Sequence, residues 1–214
     1  MLATEYLNKK IIYNFGTGIL PVRRKYMKNE KNEIARETKE EILKDRRFLA
    51  YMWHNMYNRC YDEDYLEKSP AYAECEICDE WLEDRESFYN WVADNYYQCG
   101  AEQIDLDKDI LVKGNKIYGP DTCVFAPHSI NVMFEHIKKP SFKKDTNNKY
   151  CVKMSFEGKI MNLGSYDTEE EALKVFIKHK KASIIAKAEI YKDKIPESLY
   201  EAMINWKIEP EDLK

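Results

Sequence analysis

Apolar positions recur at three- and four-residue steps from Glu33 to about Tyr61: Ile34, Ile42, Leu43, Phe48, Leu49, Met52, Trp53 and Met56. The spacing predicts a long amphipathic helix with one face on a core, and Asp45 is its expected break point. Residues 87–97, SFYNWVADNYY, repeat the pattern, with Phe88, Trp91, Val92 and Tyr96 on the inner face. The period then changes. An apolar-alternating run closed by Asp107 and Asp109 predicts a strand, Gly114-Asn115 a turn, and Val124-Phe125 a second strand ended by Pro127. His128, Ile130, Asn131 and Phe134 resume helical spacing, so the order is strand, loop, strand, helix.

Further along, Tyr150 to Phe156 alternates, Glu157-Gly158-Lys159 turns, and Ile160 to Tyr166 runs back, which predicts a hairpin. Thr168 and Glu171 stand three apart as a capping box for a helix whose first turn is Glu169-Glu170-Glu171, near the positive end of its dipole. Pro196 opens a last helix carrying Leu199, Tyr200, Met203 and Trp206. The fold class expected from this order is α+β. A basic arm and helix fill 1–48, helices and the strand-loop-strand-helix unit fill 49–137, and a small antiparallel sheet with helix and helical tail fills 138–214.

Composition narrows the class. A chain of 214 residues, 44% hydrophobic and 13% aromatic, can bury a core and is not of disordered type. No apolar run reaches the roughly 18 residues that span a bilayer, and the N-terminus lacks an apolar signal core with a small-residue cleavage site. A cytoplasmic protein with no membrane partner is therefore expected. The net charge of −4 speaks against nucleic acid until it is divided along the chain. Residues 1–48 carry 12 basic and 7 acidic side chains, residues 49–112 carry 4 and 16, and residues 137–194 carry 14 and 8. Two basic flanks thus enclose an acidic middle, which suits either phosphate contacts at the flanks or a basic protein partner at the centre.

Cysteines stand at 60, 75, 78, 99, 123 and 151. The Cys75/Cys78 pair has zinc-ligand spacing, but no second C-x-x-C completes a tetrahedral set, so structural zinc is not expected and free thiols in a reducing compartment are. The basic cluster Arg23-Arg24-Lys25 with Lys28 reads as a solvated arm able to lie along a phosphate backbone. Gly16-Thr17-Gly18 is not followed by Gly-Lys-Ser/Thr and carries no nucleotide signature.

In the order of its parts and its Asp…Asn…Asn skeleton, the stretch from Ile104 to Phe134 resembles the ββα-metal finger of HNH endonucleases, particularly the diverged versions of bacteriophages. Met56 to Tyr61, Pro70 to Tyr72, Cys75, Trp81 and Phe88 to Trp91 look like the segment that precedes that finger. The resemblance implies a divalent ion, Mg²⁺ or Mn²⁺, held by Asp107 and Asn131, with His128 one helical turn earlier, for phosphodiester hydrolysis of double-stranded DNA. Lys108 stands where the family places its water-activating His. A protonated lysine binds phosphate and becomes a base only with a strongly lowered pKa. Residues 149–182, with the string NLGSYDTEEEALKVF, are similar to the plant ethylene-response-factor type of DNA-binding domain. That likeness implies duplex contact through the exposed sheet, with Lys149, Lys153, Lys159 and Asn162 as candidates. The sheet has no Arg, so backbone attachment with little sequence preference is expected. The alternative is a catalytically inactive finger kept as a scaffold, a phage inhibitor of a host defence system that binds a host protein through the acidic 49–112 region.

Overall fold

The computed structural model describes residues 38–135, 140, 142–156, 158–209 and 213. The basic arm expected around Arg23 to Lys28 lies outside the described residues. Two helices stand where one long amphipathic pattern was read. Thr38 and Glu41 form a capping box that opens α1 (Lys39–Lys44). Asp45 then ends it and accepts at 3.0 Å from Phe48 N, so that the same carboxylate caps α2 (Arg46–Tyr61). Asp62 caps α3 (Glu63–Lys68) in the same way, and a 3₁₀ turn over Pro70–Tyr72 leads into β1 (Glu76–Ile77). The helices α4 (Asp79–Glu83) and α5 (Arg85–Asn95) follow, the second capped by Asp84.

The next elements are β2 (Ile104–Asp107), β3 (Ile117–Tyr118), β4 (Val124–Pro127) and α6 (His128–Glu135). β2 and β4 pair antiparallel with Ile104 opposite Pro127 and Asp107 opposite Val124. β3 runs parallel to β1. A three-stranded antiparallel sheet comes after, in the order β5 (Lys143–Lys144), β6 (Tyr150–Phe156), β7 (Lys159–Tyr166). The predicted Thr168 capping box opens α7 (Glu169–Tyr191), and α8 (Glu197–Asn205) closes the described chain. The class is α+β, as expected. Among the described residues no helix is long and apolar enough to cross a membrane.

An aromatic chain holds the helical part to the β2–β4 ribbon. Trp81 meets Phe88 edge-on at 4.9 Å and Trp91 at 5.1 Å, Trp91 lies 5.4 Å from Phe125, and Tyr96 meets Phe125 edge-on at 5.2 Å. Phe125 belongs to β4, so the ribbon rests on α5 through ring contacts, each favourable beyond simple burial. A two-stranded ribbon needs such support.

Packing runs across the expected boundaries at 48/49 and 137/138. α2 crosses the first boundary, and Ile42 and Leu49 are fully buried in the core that also holds Phe125. The tail residues were expected to close the core of the C-terminal unit. Instead Ile184, Ala188, Leu199 and Met203 belong to that same core, and Trp206 meets Phe134 of α6 at 4.6 Å. The physical reason is the length of α7, 23 residues or about 35 Å. It packs on β6 and β7 of the small sheet and on α8, and its last turn brings the Tyr191 hydroxyl to Glu102, just before β2. Phe88→Ala is expected to lower unfolding free energy by about 3–5 kcal/mol, since it empties the centre of the ring chain. Ile160→Ala, at a side chain 78% exposed, should change it by less than about 0.5 kcal/mol. Urea denaturation of both variants checks the contrast.

Candidate active site at the strand-helix corner

Pro127 ends β4 and His128 begins α6 without an intervening loop. The first turn of α6 is therefore pinned to whatever lies beside the end of the ribbon. His128 N donates to the Gln103 carbonyl at 2.8 Å, and Ser129 N donates at 2.7 Å to Glu102 Oε1. Glu102 Oε2 also accepts from the Tyr191 hydroxyl at 2.6 Å, and Ser129 Oγ lies 3.2 Å from that hydroxyl. Burial works against the Glu102 charge, yet the hydrogen bonds from Ser129 and Tyr191 hold its carboxyl below the usual range. A carboxylate before β2 thus caps α6 and ties it to the end of α7.

The ladder register decides which acid meets this corner. Asp105 lies opposite Ala126, one pair from the helix start. Asp105 Oδ2 is 2.7 Å from His128 Nδ1 and accepts at 3.3 Å from Asn131 Nδ2, while Oδ1 accepts from Gln103 Nε2 at 2.7 Å. The Asp105 side chain is 11% exposed and that of His128 is 56% exposed. The ring is held at Nδ1, and more than half of the side chain is open to solvent. That is the geometry of an oriented imidazole, with a carboxylate fixing ring position and tautomer.

Asp107, expected to share an ion with Asn131, sits two residues, roughly 7 Å, further along the strand. Its Oδ1 accepts from Asp109 N at 2.8 Å and Ile110 N at 2.7 Å, so it shapes its own turn. Burial, and then the neighbouring Asp109, push its carboxyl up to about 7. Lys108, expected to contact phosphate or act as an unusual base, is 7% exposed. Its Nζ pairs with Asp109 Oδ2 at 3.1 Å and lies 5.7 Å from the rings of Tyr72 and Tyr118. Burial opposes its charge, but Asp109 holds its pKa above the ordinary lysine value. A general base needs the opposite shift, so the expected base role does not fit this side chain. Of the expected site residues, the structure brings together His128 and Asn131. The acid that joins them, Asp105, was passed over, although it stands on the same strand face as Asp107.

On the small sheet, Lys153 lies opposite Asn162, and both are exposed on the face turned away from α7. A bulge between Val152 and Lys153 shifts the register, and Lys159 falls opposite Phe156, on the other face from Lys153. Lys149 is paired with Asp167 at 3.1 Å. Lys143, not anticipated, lies opposite Cys151 and joins the Lys153 face. Cys75 and Cys78 flank β1, the first buried and the second half-buried. Among the described residues no group of three His, Cys, Asp or Glu side chains is placed to hold a metal. An ion at the corner would have the Asp105 carboxylate and the Asn131 amide oxygen as protein donors, with the His128 ring beside them. Comparison with protein-family models, curated proteins and solved structures finds no match for this chain.

The Asp107 environment gives a pH prediction. Its folded-state pKa, about 7, exceeds the unfolded value of about 3.9. The folded chain therefore holds the proton more tightly, and stability from this group falls as pH rises from about 4 to about 7. Asp107→Asn keeps the acceptor oxygen and removes the titration. It should flatten the pH dependence of Tm between pH 5 and pH 8 and raise Tm relative to the parent at pH 8. Parallel profiles for the two proteins would contradict the assignment.

Proposed function

We propose that the chain is an HNH-like, duplex-DNA-binding protein of bacteriophage type that hydrolyses phosphodiesters with the help of a divalent ion, its centre at Asp105, His128 and Asn131. The observation that supports this most is the convergence of His128 Nδ1 and Asn131 Nδ2 on one Asp105 oxygen, where the ribbon meets its helix. One carboxylate and one amide oxygen suit Mg²⁺ or Mn²⁺, which is held by few protein groups and completes its shell with water and phosphate oxygens. Bound there, the ion would polarise the scissile phosphate. His128 presents Nε2 to solvent and takes a proton from the attacking water. Asp105 holds the ring at Nδ1 and fixes its orientation. Lys143, Lys153 and Asn162 hold the phosphate backbone from the sheet face, with little base discrimination because no Arg is among them.

A second reading, a catalytically inactive finger serving as a phage inhibitor of host defence, is favoured by a different observation. Asp62, Glu63, Asp64, Glu67, Asp79 and Glu80 are all exposed on the helices that precede the finger. An acidic surface of this kind suits a basic partner.

Supercoiled plasmid incubated with the full chain and Mg²⁺ or Mn²⁺ separates the two. The proposed activity relaxes the plasmid, Asp105→Asn and His128→Ala each slow it by about 100-fold or more, and Asp107→Asn retains it. No cutting in either metal, with stoichiometric capture of a basic host protein, would replace the first reading by the second. Lys153→Ala should weaken duplex binding alike for all sequences and reduce the slope of log affinity against log salt by about one. A salt titration by fluorescence anisotropy reads both effects.

A further inference from the structure

The last turn of α2 carries a cation that the strand-helix corner does not use. The Arg59 guanidinium donates at 3.4 Å to the Leu106 carbonyl and at 3.5 Å to the Tyr118 hydroxyl, and it lies 5.7 Å from the centroid of the Tyr72 ring. Both hydrogen bonds are at the long limit of acceptable geometry. Among the described residues no carboxylate pairs with Arg59. Lys108 shares these surroundings, with Nζ 5.7 Å from the rings of both Tyr72 and Tyr118 and a single ion pair, to Asp109. Two cations therefore border the same two aromatic rings, and one paired carboxylate accompanies them.

A guanidinium has five N–H donors in a planar fork, and two poor contacts leave most of them unspent. A cation withdrawn from water without a partner is costly, and its natural complement is an anion with several acceptor oxygens. We propose that Arg59 and Lys108, walled by Tyr72 and Tyr118, form a binding site for a phosphate group, with Arg59 as the fork and Lys108 as the second charge. Arg59 and Tyr72 are half-buried and the Asp109 side chain is 43% exposed, so the cluster has an edge open to solvent. A phosphate spans two cations with separate oxygens, which a single carboxylate does less well. Tyr65 meets Tyr72 edge-on at 5.8 Å and extends the aromatic wall on which a base attached to that phosphate would stack. The site does not depend on the Asp105 centre.

The test follows the side-chain Nε–H resonance of Arg59 in the full-length protein, assigned with Arg59→Lys, as sodium phosphate replaces sodium chloride at constant ionic strength. A 5′-phosphorylated dinucleotide and its unphosphorylated counterpart are titrated in parallel. Saturable shifts with phosphate in the millimolar range are expected, with affinity about tenfold weaker in Arg59→Lys. Tighter saturation by the phosphorylated dinucleotide than by phosphate identifies a nucleic-acid terminus as the source, and equal saturation identifies free phosphate. A resonance that does not move, or that moves linearly and equally in chloride, overturns the proposal. Should Arg59→Lys fail to fold, Lys108→Met assigns the second cation and the wild-type titration still decides. Plasmid relaxation reads the Asp105 centre separately, so one reading can fail while the other stands.

Discussion

The antiparallel ladder between β2 and β4 is the constraint on which the candidate site depends. Because Ile104 faces Pro127 and α6 starts at the next residue, the helix can only meet the acid nearest that end of the ribbon. A slip of one residue would turn every β2 side chain to the other face. A slip of two would keep the faces and bring Asp107 to the corner. What fixes the register is Leu106 opposite Phe125, both in the core, with Phe125 in turn locked between Trp91 and Tyr96. The hydrophobic packing of the helical part thus selects which carboxylate reaches His128 and Asn131.

Local signals in the sequence carried the elements well and the site only in part. Alternation, Gly114-Asn115 and Pro127 marked the ribbon, and the Thr168/Glu171 box marked the start of α7, because each acts over three or four residues. Strand periodicity names a face but not a position along it. Asp105 and Asp107 share a face, so pattern alone could not tell which one meets the helix. On the sheet, Lys159 stands three residues from Asn162, so strand alternation puts it on the face opposite Lys153. Lys108 was legible only as a charged residue, because one of the rings beside it, Tyr72, comes from a distant part of the chain. Arg59 was visible only as one letter of a helix-end motif, for the same reason.

The tail departs furthest from expectation, and α7 explains why. One helix packs on the small sheet and delivers Tyr191 to Glu102 and Ser129 with its last turn. The face proposed to hold a duplex and the corner proposed to act on it are therefore joined by a single helix. Glu102 is the junction, since it caps α6 and receives the Tyr191 hydroxyl at once. A carboxylate satisfied from both sides is costly to leave half-bonded, which favours one fixed relation between sheet and corner.

The central claim is that Asp105, and not Asp107, gathers the groups able to seat a cation. Paramagnetic broadening by trace Mn²⁺ tests it most directly, read on the Asn131 side-chain amide, the His128 ring and the backbone amides of Asp109 and Ile110. The account predicts that the Asn131 and His128 signals broaden first and that excess Mg²⁺ restores them. Broadening centred on Asp109 and Ile110, or spread evenly over exposed carboxylates, would contradict it.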